Sequence, residues 1–277
     1  MKRKSFVAAI LACICAFSLA GCGGNDDQPQ SGDELVTVKV GATAVPHQEI
    51  LETLVEDLKA EGIDLQIVPF DDYPLINPAV DNGELDANYF QHTPYLDDYN
   101  SKNNGTLISI GSIHYEPLGL FPGKTSTVAE LQAGATIAVP NDTSNEARAL
   151  LLLEAQGLIT LKEGVGLEAT PVDIVENPLN LKIEELDAAQ VPRALADVDM
   201  AVINGNYALQ AGLNAATDAI AIESSDSLAA STFANILVVK EGNEENEALQ
   251  KLLAALQSEK TKQFIEEKYQ GSVVPAF

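Results

Sequence analysis

The chain has 277 residues, 41 acidic against 16 basic, for a formal charge of −25. Such a surface repels nucleic-acid phosphate and anionic headgroups, so nucleic acid is excluded as a partner, and membrane contact through a basic face is excluded with it. The acidity reads as solubility or as adaptation to a saline habitat, not as an acidic site. All three cysteines, Cys13, Cys15 and Cys22, lie in the first 22 residues. The rest of the chain has no thiol for a disulfide or a nucleophile, and its stability must come from a packed core.

Lys2, Arg3 and Lys4 form a basic start, Phe6 to Leu19 is an apolar run, and Leu19-Ala20-Gly21-Cys22 follows. That is the order of a secretory signal with small residues at the cleavage point. Fourteen residues make a helix of roughly 21 Å, short of a hydrocarbon core of about 30 Å, so a permanent membrane span is the weaker reading. The tetrapeptide resembles the bacterial lipobox. That resemblance implies cleavage before Cys22 and acyl chains such as palmitate on it; the alternative is an ordinary secreted protein cut after Gly21. Residues 1–21 are thus expected to be a lipoprotein signal peptide. Residues 22–34 are expected to be the lipidated Cys22 and a flexible linker, since GGNDDQPQSGDE has no large apolar residue. Without Lys2, Arg3 and Lys4 the body keeps 13 basic residues against 41 acidic.

From residue 35 the chain alternates. Leu35–Ala42 predicts a strand. Gln48–Glu61 predicts a helix with Ile50, Leu51, Leu54, Val55 and Leu58 on one face, stopped by Gly62. Ile63–Phe70 predicts a strand, Leu75–Asp81 a short helix, Asp86–Phe90 a strand and Thr93–Ser101 a helix. Strands are expected at Thr106–Ile113, Thr136–Pro140, Met200–Ile203, Ala219–Ile222 and Ile236–Val239. Helices are expected at Ser144–Gln156, Glu244–Gln257 and Glu259–Lys268. Repeated strand–helix units predict parallel sheets covered on both faces, and the length predicts two α/β lobes. Open sheets of this kind bind ligands beyond the carboxyl ends of their strands. Phe70 and Tyr73, then Tyr89, Phe90 and His92, then His114, Tyr115 and Glu116, then Asn141, Asn145 and Arg148, and finally Asn204 and Asn206 all follow strands.

Asn141-Asp142-Thr143-Ser144-Asn145 precedes a helix. Ser144 or Asn145 is a candidate N-cap, the free N–H groups there suit a carboxylate, and Arg148 lies about one turn further on. The plainer alternative is a capping Asp142 or Ser144 with Arg148 in a surface ion pair with Glu146 or Glu154. Phe90 and His92 share a side of an extended segment, and with Phe70, Tyr73 and Tyr115 they suit a slot for a polarizable side chain. Ordinary core aromatics have the same spacing. His47, His92, His114 and Glu116 are the residues a zinc site would use, but no close His pair is present and no metal is expected. No nucleophile elbow, phosphate loop or dinucleotide fingerprint occurs, and no cofactor is expected.

At these segments the chain resembles the methionine-binding lipoproteins, or NlpA lipoprotein family, the substrate-binding components of methionine ABC importers. The resemblance rests on PHQEIL (46–51), GELDANYFQHTPYLDDY (83–99), EPLGLF (116–121), AVPNDTSNEARALLLLE (138–154), VENPLNLKIEELDAAQVPRAL (175–195) and AVINGNYALQAGL (201–213). It implies an α/β, type 2 periplasmic-binding fold with a ligand cleft between two lobes: about 35–120 plus 232–277, and about 121–231. It also implies an extracytoplasmic, membrane-anchored binding protein that is not an enzyme and hands L- or D-methionine to a permease. Another amino acid or a methionyl dipeptide is the alternative ligand, and a zinc hydrolase the alternative class.

By the same resemblance Phe90 and His92 flank the ligand side chain, and Phe70 and Tyr73 belong to the same pocket. Arg148 pairs with the ligand carboxylate beside Asn145, while Asn204 and Asn235 contact the ligand, with Tyr115 and Glu116 nearby. Two departures stand out: the 141–145 loop lacks proline, and Gly205 stands where a larger residue is usual. Arg148→Ala is expected to weaken binding and, if Arg148 faces solvent, to leave melting nearly unchanged. Arg193 is the next cation to test.

Overall fold

The computed structural model describes residues 35–223 and 231–277. Cys22 and the linker lie outside them. No helix among the described residues is long and apolar enough to cross a membrane.

The first half builds one sheet. β1 (Val36–Thr43) continues into a turn at Ala44–Gln48 and two short helices, α1 (Glu49–Glu52) and α2 (Val55–Ala60). A single helix was expected here. The break falls at Thr53, whose hydroxyl donates to the Ile50 carbonyl at 2.7 Å, a local bond that competes with the helix ladder. Ile50, Leu51, Leu54 and Leu58 are still buried on one side. β2 (Ile63–Phe70), α3 (Ile76–Asp81), β3 (Ala87–His92), α4 (Thr93–Asn103) and β4 (Leu107–Tyr115) follow.

The chain then enters a second sheet. It is made from β5 (Gly119–Pro122) and β6 (Thr136–Pro140), α5 (Thr143–Ala155), a small hairpin of β7 (Thr160–Leu161) and β8 (Ile174–Glu176), and β9 (Lys182–Leu186). It continues with α6 (Val191–Ala194), β10 (Met200–Ile203), α7 (Gly205–Gln210), α8 (Ala215–Asp218) and β11 (Ala221–Ile222). β12 (Ala234–Lys240) rejoins the first sheet, and α9 (Glu247–Leu256), α10 (Glu259–Tyr269) and β13 (Val274–Pro275) close the chain. α9 is the amphipathic case read from the sequence: Leu249, Leu252, Leu253 and Leu256 form its buried stripe, and Asn246 caps it.

The first sheet has strand order β13-β4-β12-β3-β1-β2, the second β11-β5-β10-β6-β9. Both are mixed, which corrects the expectation of parallel sheets. β1 runs parallel to β2 and β3, but β12 is antiparallel to β3 and β4; β10 is parallel to β6 but antiparallel to β5. The reason is topological. β5 and β12 each enter from the opposite sheet, so they start where their neighbours end: Gly119 lies opposite Ile203, and Asn235 lies opposite both His92 and His114. The carboxyl ends of β3, β4 and β10 and the amino ends of β5 and β12 therefore converge. Each sheet has its own apolar core, one with Val40, Leu51, Tyr89 and Leu252, the other with Ile137, Leu150, Leu153 and Val202. A third cluster contains Tyr73, Phe90, Phe121 and Tyr207, from both sides of the convergence.

Candidate functional site

A cavity opens where the two sheets converge. Tyr73, Phe90, Gln91, His92, Tyr95, Glu116 and Asn235 line it from the side of the first sheet; Asn145, Arg148, Asn204, Gly205 and Asn206 line it from the second. It measures about 20 Å³, roughly the room a single water needs. A ligand the size of an amino acid thus enters only if the two sides part.

The aromatic wall depends on an irregularity in β3. β12 pairs Ile236 with Gln91 and Leu237 with Tyr89, which leaves Phe90 as an extra residue. Such a bulge re-aims side chains next to a site. Tyr89 turns into the core. Asn88 and Gln91 share a face, joined by a 2.9 Å bond from Gln91 Nε2 to Asn88 Oδ1. Phe90 meets Tyr73 and Tyr95, and the three rings form a triangle with centroids 5.6, 5.7 and 5.8 Å apart. Phe70, expected in the same wall, does not line the cavity. It is half-buried against the cluster that holds Ile76 and Tyr207. Tyr115 is also outside the lining: it is buried behind Arg148, with its hydroxyl donating to Glu223 at 2.9 Å.

His92 ends β3 and caps α4. Its Nδ1 accepts the Tyr95 backbone N–H at 3.3 Å, so the proton sits on Nε2, which faces Asn145 Oδ1 at 3.2 Å across the cavity. Burial, then the Arg148 charge, pushes its pKa down to about 3, so the ring is neutral. Asn145 Oδ1 also accepts from Asn204 Nδ2 at 2.9 Å.

α5 is capped by Asp142, not by Ser144 or Asn145. The Asp142 carboxylate accepts the Asn145 backbone N–H at 3.1 Å and the Ser144 hydroxyl at 3.2 Å. That carboxylate already fills the anion position at the helix start, so a ligand carboxylate is not held there. Arg148, one turn further on, is buried and pairs with a residue the sequence did not single out. Its Nε donates to Glu223 at 2.7 and 2.8 Å, and its Nη2 to the same carboxylate at 2.5 Å and to the Glu116 carbonyl at 2.7 Å. Glu146 and Glu154 are not its partners. Phe233 stacks on the guanidinium, 4.4 Å from its centre. Burial opposes the charge, but the Glu223 carboxylate outweighs it and holds the Arg148 pKa above its ordinary value. Arg193 lies exposed on the surface and does not line the cavity.

Glu116 is buried and faces the cavity. His114 Nε2 lies 2.7 Å and His47 Nε2 3.5 Å from its Oε1, and the Asn206 backbone N–H also bonds its carboxyl. Burial raises its pKa above the usual carboxylate range; His47, Arg148 and the Asn206 N–H pull the other way. Both histidines are neutral, pushed down by burial to about 4 for His47 and about 3 for His114. Glu116 therefore has no cationic partner of its own among the described residues. His47, His114 and Glu116 do converge as a metal site would require, with His92 elsewhere. Their ring nitrogens are already matched, however: His47 to Thr43 and Asn235, His114 to Tyr89 and Glu116. Two polar atoms at the cavity, Asn204 Oδ1 and Asn206 Nδ2, lack a hydrogen-bond partner among the described residues.

The cavity thus offers a carboxylate, an arginine and a ring-lined wall. The NlpA lipoprotein family model matches residues 38–277. The chain belongs to the NlpA lipoprotein family. It is 43% identical over 277 residues to the membrane lipoprotein TpN32 of Treponema pallidum, covering all of both chains. It is 40% identical over 276 residues to the D-methionine-binding lipoprotein MetQ of Escherichia coli, covering 99% of this chain and 98% of that one. Among solved structures, a nutrient-binding protein from Burkholderia cenocepacia bound to methionine superposes with a TM-score of 0.81 at 44% identity, covering 87% of this chain and all of that one. As an NlpA lipoprotein the chain has the two-lobed α/β fold of periplasmic substrate-binding proteins.

Tyr95 and Gln91 were missed as site residues on the sequence, and Gly205 and Asn206 were noted there without a place in the pocket. Tyr95 and Asn206 sit within the quoted motifs, three residues after His92 and two after Asn204, a spacing that places them on the first turn of the helix each strand feeds. Glu223 had no such signal.

Proposed function

We propose that this NlpA lipoprotein is the extracytoplasmic binding component of an ABC importer, that it captures methionine of either hand, and that it delivers it to the permease subunits without catalysing a reaction. One observation carries the reading: among the described residues, a buried carboxylate without a cationic partner of its own and a buried arginine face one cavity with an aromatic wall. A zwitterion supplies a cation for the carboxylate and a second anion for the arginine that Glu223 already holds. Its ammonium suits Glu116 and Asn204 Oδ1; its carboxylate suits the Arg148 guanidinium and Asn206 Nδ2; a thioether suits the Tyr73–Phe90–Tyr95 rings. His92, Asn145 and Asn235 complete the lining. The methionine-bound and MetQ relatives support the choice of ligand. The small cavity supports opening and closing of the lobes, which we assign to about 35–120 plus 232–277 and about 121–231.

Methionine at 100 times its dissociation constant adds about 2.7 kcal/mol to folding stability. For a body of this size that raises the melting temperature by about 5–10 °C. A melt unmoved by L-methionine, D-methionine and methionyl dipeptides alike would sink the reading.

The anchor is a separate part of the proposal. The lipobox places acyl chains on Cys22, with residues 1–21 removed. Cys22→Ser is expected to leave the protein unprocessed or released, without labelling by radioactive fatty acid. Continued labelling of the variant would mean the lipid sits elsewhere.

A further inference from the structure

Gly205 is the first residue of α7, and its backbone does not need a glycine: only the glycines with positive φ do, and Gly205 is not among them. What it needs is space. A Cβ there would stand 2.7 Å from Glu116 Cβ and 2.8 Å from Glu116 Oε2, distances real Cβ atoms do not tolerate. The Glu116 Cβ is anchored to its own backbone and cannot swing aside. Gly205 is therefore the cut-out into which the Glu116 carboxyl fits.

Glu116 Oε1, on the other side, is held by two imidazoles. A carboxylate only accepts, so His114 donates from Nε2 at 2.7 Å and accepts a hydrogen bond from the Tyr89 hydroxyl through Nδ1. His47 has acceptors on its Nε2 side, Asn235 Oδ1 at 3.0 Å and Glu116 Oε1 at 3.5 Å, so it too carries its proton on Nε2 and accepts from Thr43 Oγ1 at 2.7 Å through Nδ1. All of these residues are buried. Their hydrogen bonds run outward from Glu116 into the protein, and none supplies a positive charge. A carboxylate aimed into a cavity and held by neutral donors is a receptor for a cation with N–H bonds.

We propose that Gly205, His47 and His114 form a positioning set that fixes Glu116 as the specificity determinant for an unblocked α-ammonium group. The ligand class is then the free amino acid, not an N-acylated one and not a peptide carrying methionine at its carboxyl end. This rests on the amino-acid reading above. An acyl group removes the charge that Glu116 lacks and adds bulk where Gly205 allows none.

The test is calorimetric titration with three probes: methionine, N-acetylmethionine and 4-(methylthio)butanoate, which is methionine without its amino group. The wild-type chain is expected to bind methionine at least about 30-fold more tightly than either of the others, the loss that follows when one side of a buried charge pair is removed. Glu116→Gln, Gly205→Ala and His114→Phe are each expected to collapse that ratio. They should lose methionine affinity while changing affinity for the des-amino acid less than about threefold. A merely structural role would lower both affinities alike, and that outcome overturns the proposal. Gly205→Ala and Glu116→Gln are the decisive pair, because neither empties a core; His114→Phe is read only if its melt remains cooperative. Wild-type binding of methionine and the des-amino acid with equal affinity overturns this inference and leaves the amino-acid reading standing. No methionine binding at all would instead remove the reading beneath it.

Discussion

Arg148→Ala is expected to lower both the melting temperature of the free protein and its affinity for methionine. On the sequence, a solvent-facing Arg148 would have left melting nearly unchanged. The structure reverses that expectation: the Arg148 and Glu223 side chains are only 4% and 10% exposed. Removing one partner of a buried pair costs about 3–5 kcal/mol, mostly because the other is left uncompensated. For a body of about 240 residues this lowers the melting temperature by on the order of 10 °C. Glu223 holds more than Arg148. Its Oε2 also accepts the Tyr115 hydroxyl at 2.9 Å and the Leu118 backbone N–H at 3.1 Å, and its own N–H donates to the Leu118 carbonyl at 3.0 Å. The segment linking β4 to β5 and the segment after β11 are thus tied together at the carboxylate that orients Arg148. Binding should weaken by about 30-fold or more, since the ligand carboxylate loses the guanidinium in a desolvated site. Arg148→Lys should recover part of the charge. An ammonium has no planar fork, and it cannot meet both Glu223 oxygens and the Glu116 carbonyl while still facing the cavity. Thermal melts and titration of the three proteins decide it. A wild-type melt in Arg148→Ala would mean the Glu223 pair is not formed in solution. Wild-type affinity would place the ligand carboxylate on Asn206 and its neighbours.

The legible parts of this chain were those with a local cause. α9 announced itself by four leucines at helical spacing, and β2, β6 and β10 by short apolar runs with matching bounds. β9 was not legible. It is an edge strand reading KIEEL, with Glu184 and Glu185 exposed, so its pattern is that of a loop. β5 was hidden by Gly119 and Pro122 and by a length of four residues. Antiparallel pairing of β5 and β12 was invisible because it follows from where the chain re-enters a sheet, not from any residue. The site divides the same way. Arg148 one turn into α5, and Phe90 with His92 at the end of β3, were readable from spacing and motif. Glu223 is 75 residues from Arg148 and sits in no motif. Phe70 followed a strand as the others did, but a strand end fixes position and not direction, and its ring turned to the core. Gly205 was visible as a departure from the family pattern, and its reason appeared only with Glu116 against it.

Acidification from pH 7 to pH 5 is expected to destabilise the protein through its three buried histidines. Burial holds His47 near 4 and His92 and His114 near 3 in the folded chain, against 6.5 for a free histidine. The unfolded chain therefore takes up protons that the native state refuses. The sign is that of a lowered pKa: the stabilisation is complete above about pH 6.5 and is lost as pH falls towards 4. Between pH 7 and pH 5 each histidine costs about 2 kcal/mol, roughly 6 for the three.

Carboxyls facing the same region act in the opposite sense. Burial, helped by Glu185, pushes Glu146 up to about 8. Burial also raises Glu116 and Asp142. These groups favour the protonated native state as pH falls and return part of what the histidines cost. The three histidines outweigh this return, and the expected net result is a lower melting temperature at pH 5 than at pH 7. Melts at pH 7, 6 and 5 in one salt concentration measure it. The imidazole proton resonances of His47, His92 and His114 should show no titration above pH 5 in the folded protein. A melting temperature that holds or rises from pH 7 to pH 5, with any of the three rings titrating near 6.5, would mean that the ring is solvated. For His114 it would also remove the neutral Nε2 donor on which the orientation of Glu116 depends.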